Sequence, residues 1–157
     1  MYQENILKKA AFLRGGFINR SAIIEKLMEW YISYHFCQDL VRSYEMIDFL
    51  LGDRFVSFES KRSAFELLLK THKKSEWQKS KDILSKLTSI QTERNRLAHL
   101  TVLVDNEAVD KFKHDGSIAF VKFKEKTEPL WYSVDRMVEI MSDADDIINW
   151  LTELNKL

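Results

Sequence analysis

The sequence predicts a mainly α-helical fold: a bundle of about five to six helices with a small β-hairpin inserted before the last helix. Three observations support this prediction. Glycine occurs 4 times and proline once in 157 residues, so few residues interrupt regular structure. Apolar residues repeat at intervals of three and four through most of the chain, as they do on one face of a helix. After His99 this period changes to the alternation that is typical of a β-strand.

The first third of the chain is predicted to form three helices. A short helix covers residues 4–13 and ends at Gly15 and Gly16, and a long helix follows in "FINRSAIIEKLMEWYISYHFC". Apolar residues lie on more than one side of this second helix, so we expect other elements or a partner chain to cover it on two sides. Asp39 caps a third helix that continues to Leu51 and is closed by Gly52.

The next two helices have serines at their predicted starts. Ser57 or Ser60 caps "KRSAFELLLKTHKK". Ser75 opens the following helix, and Gln78 three residues later completes a capping box. That helix continues through "EWQKSKDILSKLTSIQTERNRLAH" and ends near His99.

The hairpin is predicted from two strand-like segments, "LTVLVD" and "SIAFVKFKEK", with the turn signal "HDG" between them. In the second segment Ile118, Phe120 and Phe123 mark the alternation, and Pro129 ends the region. Ser133 then caps the last helix. The apolar face of that helix consists of Met137, Ile140, Met141, Ala144, Ile148 and Leu151. Residues 1–157 are expected to form a single domain, with the hairpin insertion at about 100–126.

Composition limits the possible functions. The chain carries 24 basic and 24 acidic residues, and this balance argues against a protein that coats nucleic acid non-specifically, because such binding depends on neutralising phosphates. A small local basic site remains compatible with it. Cys37 is the single cysteine, so we expect no internal disulfide and a cytoplasmic location. No apolar leader or membrane span is predicted, and no zinc-ligand spacing occurs, so we expect no metal and no cofactor.

Arg94 interrupts the pattern of its own helix. At about 100° per residue, Ile83, Leu87, Ile90 and Leu97 fall within an arc of roughly 80°, and Arg94 lies near the middle of that arc. A charge pointing at the core needs a carboxylate, a phosphate or a water-filled cleft. Asn95 and His99 are four residues apart and share the neighbouring side of the helix. An arginine, an amide and a titratable imidazole are therefore expected to cluster at one helix end.

Two interpretations of this cluster remain open from the residues alone. Arg94 can form a structural ion pair with Glu25 or Glu29 of the second helix, while His99 caps the end of its own helix, where carbonyl dipoles favour the imidazolium. Alternatively, the three side chains form a functional site. One arginine and one histidine five residues apart do not decide between these interpretations.

The segment "RNRLAH", residues 94–99, resembles the R-x4-6-H motif of the HEPN superfamily (higher eukaryotes and prokaryotes nucleotide-binding domains). The common form of that motif is R-N-x-x-x-H, and Asn95 fits it. The motif lies late in a long helix of a small helical bundle, with a further helix after it, as in the family. The segment "FINRSAIIEKLMEWYISYHF" also resembles the amphipathic early helix of several prokaryotic HEPN groups.

The resemblance implies a metal-independent endoribonuclease, in many members a toxin or a phage-defence component, that works as a homodimer with both motifs in one cleft. RNA is then the substrate, and a cognate antitoxin is an expected partner. Arg94 would bind and polarise the scissile phosphate. His99 would be the general acid or base when the 2′-hydroxyl attacks phosphorus, leaving a 2′,3′-cyclic phosphate. Asn95 would orient His99 or contact a phosphate oxygen.

Two other functions compete with this one. The first is a non-catalytic HEPN dimer that binds a nucleotide or RNA, or serves as an interaction module. The second is a helical structural or adaptor protein in which Arg94 is a buried ion-pair residue. The placement of Arg94 and His99 discriminates between these functions. The ribonuclease and the non-catalytic dimer need both residues to face a shared cleft across a two-fold interface, whereas the structural protein needs them sealed in one subunit's core.

Several other polar residues are predicted to be structural. His35 lies at the edge of an apolar face and is expected to be a satisfied core histidine, His72 to be solvated, and His114 to be a turn residue. Arg96 points away from Arg94 and is expected to be a solvated surface charge. The basic segment "KTHKKSEWQKSK" favours a solvated face over an RNA track.

Overall fold

The structure, a computed structural model, describes residues 1–52, 55–122 and 128–156. Within these ranges a mainly helical bundle with a small antiparallel β element is confirmed. None of the helices found there is both long and apolar enough to cross a membrane. The elements in chain order are α1 (Tyr2–Cys37), α2 (Leu40–Met46), a π-helical turn (Ile47–Leu51), α3 (Phe58–His72), α4 (Lys74–Lys79), α5 (Lys81–His99), β1 (Thr101–Val102), α6 (Asn106–Asp115), β2 (Ile118–Val121), β3 (Leu130–Tyr132) and α7 (Val134–Leu154).

The first two predicted helices are one continuous helix of 36 residues, so the predicted break at Gly15 and Gly16 is wrong. Both glycines lie inside α1. Gly16 packs closely on α7, because a Cβ at this position would come within 2.6 Å of Met141 Cε. Glycine costs about 1 kcal/mol relative to alanine in a helix interior. Burial of the flanking Leu13 and Phe17 outweighs that cost and keeps the helix intact.

Three of the predicted helix starts are confirmed. In each, the side-chain oxygen of the cap accepts the backbone N–H of the third residue after it, and the caps are Asp39, Ser57 and Ser133. The helical segment after Asp39 reaches Leu51 and Gly52 as predicted, with its last turn widened to a π-helix.

The long helix predicted to begin at Ser75 is in fact two helices. The helical conformation is interrupted at Ser80, which separates α4 from α5. The capping box predicted for Ser75 is also wrong, because α4 starts at Lys74 after Lys73, which makes no side-chain cap. Ser80 is buried, so the interruption lies against the core.

The β element is a three-stranded antiparallel sheet in the order β1-β2-β3. β1 pairs with β2 as predicted, with Val102 opposite Phe120, but the connection is helix α6 and not a hairpin turn. Asp105 caps α6, His114 lies in its last turn, and Gly116 ends it with φ of 74°. β3 was not predicted. The part of the predicted second strand around Phe123 lies outside the described residues.

Helix α1 lies at the centre of the bundle and contacts α3, α5, α6 and α7. Helix α5 is antiparallel to α7, because Glu93 meets Arg136 near the start of α7 while Lys86 meets Asp143 further along it. The C-terminal end of α5, which carries residues 94–99, therefore lies at the same end of the bundle as the sheet and the start of α7.

A buried ion cluster joins α1 to α3. Lys61 Nζ of α3 lies 2.6 Å from Glu25 Oε1 and 2.6 Å from Glu29 Oε1 of α1. The side chains of Lys61 and Glu29 are 0% exposed, and that of Glu25 is 9% exposed. Lys26 reaches the second oxygen of Glu29 from the surface. Buried charges are tolerated only when paired, so this cluster fixes where α3 sits along α1.

Candidate functional site

The guanidinium of Arg94 is half-buried and faces the start of α3. Its central carbon lies 6.0 Å from the centre of the Phe58 ring, a loose cation–π contact. Its Nη1 donates to Asn95 Oδ1 at 3.5 Å, a long and weak hydrogen bond. Arg94 forms no ion pair with any residue in the described part of the chain. Most of the N–H donors of this guanidinium are thus available to a ligand.

The structural ion pair considered for Arg94 is not formed. Glu25 and Glu29 are both paired with Lys61, and their cluster is sealed between α1 and α3. Arg94 is neither buried nor paired with either glutamate. Arg94 therefore lies at the edge of the core, and part of its side chain is accessible to solvent.

The residue next to Arg94 holds the buried charge of this helix end. Glu93 is 4% exposed and accepts hydrogen bonds from the Tyr132 hydroxyl, from Arg96 Nη1 at 3.0 Å and from Arg136 Nη2 at 2.9 Å. Burial, followed by the hydrogen bond to Glu93, raises the pKa of Tyr132 well above its usual value. This cluster fixes α5 to β3 and α7, and so holds the backbone from which Arg94 projects.

Sequence reasoning missed Glu93 as a structural centre and described Arg96 only as a solvated charge. Arg96 is in fact 46% exposed at its side chain and pairs with Glu93 one helical turn away. A signal was available, because Glu93 lies three residues after Ile90 and four before Leu97, both on the apolar side of α5. Its partners Tyr132 and Arg136 lie on elements whose position could not be derived from the sequence.

Asn95 and His99 are exposed at the end of α5. No hydrogen bond joins His99 to Arg94 or Asn95 among the residues described. Just beyond His99, Arg14 of α1 donates to the Leu100 carbonyl oxygen at 2.6 Å, which anchors the end of α5 on the central helix. An exposed imidazole on a fixed backbone can accept a proton from a ligand or donate one to it.

Taken together, the three motif residues lie on one exposed helix end and none is sealed in the core. A guanidinium with unspent donors, an amide and an imidazole can bind a phosphate and exchange a proton with it. In the described residues no group of three or more histidine, cysteine, aspartate and glutamate side chains could hold a metal ion.

His35 differs from its predicted role as a satisfied core histidine. Its ring is half-buried and lies 4.6 Å from the ring of His72, centre to centre, with no hydrogen bond to any described residue. Burial, together with the nearby His72, lowers the pKa of His35 below its usual value. The predicted solvated position of His72 is confirmed. This histidine pair lies at the C-terminal ends of α1 and α3, away from residues 94–99.

Comparison with known proteins gives no assignment: no protein-family model matches the chain, and no curated protein or solved structure is significantly similar to it. The resemblance to the HEPN superfamily therefore depends on residues 94–99 and their helical context.

Proposed function

We propose that this protein is a homodimeric, metal-independent endoribonuclease of the HEPN type. The observation that carries the proposal is the state of Arg94. It lies on the core-facing arc of α5, yet it is only half-buried and forms no ion pair in the described part of the chain, while the buried Glu29 and Glu93 are paired with other cations. An arginine without an ion-pair partner at a motif position is suited to an external phosphate.

In the proposed reaction, the 2′-oxygen of a ribose attacks the adjacent phosphorus and the bond to the 5′-oxygen of the next nucleotide breaks. The products are a 2′,3′-cyclic phosphate and a free 5′-hydroxyl. Arg94 stabilises the charge on the phosphate oxygens through its planar donors. His99 takes the proton from the 2′-hydroxyl or gives one to the departing 5′-oxygen. Asn95 contacts a phosphate oxygen or orients His99.

The proposal includes a role as a toxin or phage-defence component with a cognate antitoxin as partner. This part of the proposal rests on the resemblance of residues 94–99 to the motif of the HEPN superfamily, many members of which are toxins or phage-defence components. The zero net charge of the chain fits a local RNA site and not an extended phosphate track.

Dimerisation is supported by an apolar surface around α2. Seven large apolar side chains between residues 36 and 55 are 59% to 70% exposed. Together these side chains expose roughly 900 Å² per subunit, estimated from the areas of aromatic and aliphatic side chains, an area similar to what one side of a standard interface buries. We call these residues the α2 surface: Phe36, Leu40, Val41, Tyr44, Phe49, Leu50 and Phe55.

A second copy of the chain is the occupant that the α2 surface fits. Exposed Arg42 lies on the same helix as exposed Glu45, with Asp48 following in the π-helical turn. If the two-fold axis of the dimer passes between Arg42 and Glu45, the two copies of α2 run antiparallel and Arg42 lies opposite Glu45 of the other copy. The surface also includes Phe55, three residues before Phe58, whose ring lies beside Arg94. Docking here would bring the second subunit towards the motif.

The protein is expected to be a dimer in solution, and Val41→Glu is expected to make it a monomer, because the new charge would be desolvated at the centre of the interface. Light scattering should give about twice the subunit mass of 18.6 kDa for the parent protein and one subunit mass for the variant. Leu67→Glu is the matched control, since Leu67 is 64% exposed on α3 and lies outside the α2 surface. A parent protein that stays at 18.6 kDa at micromolar concentration would contradict the dimer.

Cleavage by 2′-hydroxyl attack is tested with a synthetic RNA and a copy of it that lacks one 2′-hydroxyl at the mapped cleavage site. In EDTA, the all-ribose RNA should be cut to a 2′,3′-cyclic phosphate and a 5′-hydroxyl. The copy that lacks the 2′-hydroxyl should stay intact at that position. Binding of the RNA without cleavage of either substrate would favour the non-catalytic HEPN dimer. Cleavage of both substrates at the same position would exclude the proposed chemistry.

A further inference from the structure

A cavity lies at the end of the bundle away from residues 94–99, where α1, α3 and α7 end. Its volume is about 470 Å³, within the range of small-molecule sites. It is distinct from the motif, because its walls come from the last turns of α1 and α7 and from the residue after α3. The lining residues used below are Trp30, Tyr31, Tyr34, Lys73 and Asn155.

Three aromatic side chains on consecutive turns of α1 give the cavity flat apolar walls: Trp30, Tyr31 and Tyr34. Trp30 and Tyr31 are themselves held in place, since Trp30 packs on Tyr44 and Tyr31 meets the edge of the Phe65 ring. Walls of this kind bind planar aromatic rings by stacking. These two rings are preorganised, so little of their side-chain entropy is lost when a ligand enters.

The polar groups of the cavity favour an anion. Lys73 lines it, and in the part of the chain that the structure describes its ammonium has no hydrogen bond or ion pair. No acidic residue is among the described lining residues, although acidic and basic residues are equally frequent in the chain. His35 also lines the cavity, and an imidazole carries no negative charge. A carboxylate or phosphate beside Lys73 would therefore be attracted by its ammonium, and no lining residue that the structure describes would repel it.

Asn155 supplies an oriented acceptor. Its Nδ2 donates to the Leu27 carbonyl at 3.2 Å and to the Leu151 carbonyl at 2.8 Å. Both N–H groups of the amide are thereby used, and Oδ1 is left to accept a hydrogen bond from a ligand. An N–H group on an aromatic ring, as in an indole or an aminopurine, is the chemistry that this oxygen recognises.

We propose that this cavity is a binding site for a small planar aromatic molecule that carries an N–H donor and one anionic group. The ring stacks on the aromatic wall of α1, the anion pairs with Lys73, and the donor reaches Asn155. Two sources supply this chemistry, an aromatic carboxylate and a nucleoside monophosphate. The site is independent of the proposed cleavage reaction and does not require it.

The test is isothermal titration calorimetry of the full-length protein with indole-3-acetate and with adenosine 5′-monophosphate. Their uncharged counterparts, 3-methylindole and adenosine, serve as ligand controls. At least one anion should bind saturably, and its counterpart should bind about tenfold more weakly or worse, as expected for a hydrogen-bonded charge. The anion that binds shows whether the natural ligand is an aromatic carboxylate or a nucleoside monophosphate. No binding of either anion up to millimolar concentration would overturn the proposal, as would equal binding of its uncharged counterpart.

Lys73→Met should weaken the anion about tenfold while leaving the uncharged molecule unaffected. Lys74→Met is the matched control, because Lys74 is the next residue, is exposed and does not line the cavity. Both lysines are at the surface, so both variants should keep the melting temperature of the parent. If Lys73→Met and Lys74→Met bind the anion as the parent does, Lys73 is not the anion partner and the proposal fails.

Discussion

Arg94→Leu is expected to abolish RNA cleavage while the melting temperature is kept or raised. The arginine forms no ion pair in the described residues, and only a loose contact with Phe58 and a weak hydrogen bond to Asn95 are lost. A leucine here extends the apolar arc of α5 and adds contacts at the edge of the core. Activity should disappear because no other planar cation replaces the phosphate contact. A thermal melt beside a cleavage assay on total RNA measures both effects.

Arg96→Leu is the matched control on the same helix, and the opposite pattern is expected. Arg96 donates to the buried Glu93, so its loss should lower the melting temperature, while Tyr132 and Arg136 still hold that carboxylate. Cleavage should continue, because Arg96 has no role in the motif. A melting temperature that collapses with Arg94→Leu would mean that Arg94 holds the fold, and the claim of a phosphate site would end.

Lys61→Met is expected to produce the largest loss of stability. The substitution leaves Glu25 and Glu29 buried without the cation that lies 2.6 Å from each. Removing one partner of a buried ion pair costs about 3–5 kcal/mol, which lowers the melting temperature of a chain of this size by roughly 10 °C or more. Chemical denaturation followed by circular dichroism measures the change in the free energy of unfolding.

Lys86→Met is the control for this experiment. Lys86 also bridges two carboxylates, Asp143 at 2.8 Å and Asp146 at 2.7 Å, but its side chain is 33% exposed. Water can solvate the aspartates after the substitution, so only a small loss is expected. Adding Glu25→Gln and Glu29→Gln to Lys61→Met should recover part of the stability. Equal losses for Lys61→Met and Lys86→Met would show that burial does not set the strength of the α1–α3 cluster.

Local signals in the sequence predicted much of the fold. The caps at Asp39, Ser57 and Ser133 were found because a cap acts on a backbone N–H only three residues away. The apolar face of α7 was found because its period is regular. Met137, Ile140, Ala144 and Leu151 are buried as predicted.

Features that depend on tertiary contacts were not predicted. The Gly15–Gly16 pair has a local preference to end a helix, but packing of α1 against α7 overrides it. The turn signal "HDG" is the end of α6, with Gly116 in the left-handed conformation that a helix C-terminus favours. One local glycine signal serves both a hairpin turn and a helix end, and only the strand pairing around it distinguishes them.

At the candidate site, the periodicity of the sequence predicted that Arg94 lies on the core-facing arc of α5. It did not determine whether a carboxylate pairs with the guanidinium. That answer required the position of Lys61, which lies on α3 and takes both glutamates of α1. The hydrogen-bonded cluster around Glu93 was not predicted for the same reason, since two of the three side chains that donate to Glu93 belong to β3 and α7.

The proposed active site is tested most directly by RNA cleavage with His99→Ala in EDTA, measured beside the parent protein and His114→Ala. His99 is exposed at the end of α5, so its truncation should change stability by no more than about 0.5 kcal/mol. The cleavage rate should fall by about 10²–10⁴, the contribution of a general acid or base. His114→Ala, exposed at the end of α6, should cleave at the parent rate. Unchanged cleavage by folded His99→Ala would contradict the proposed active site.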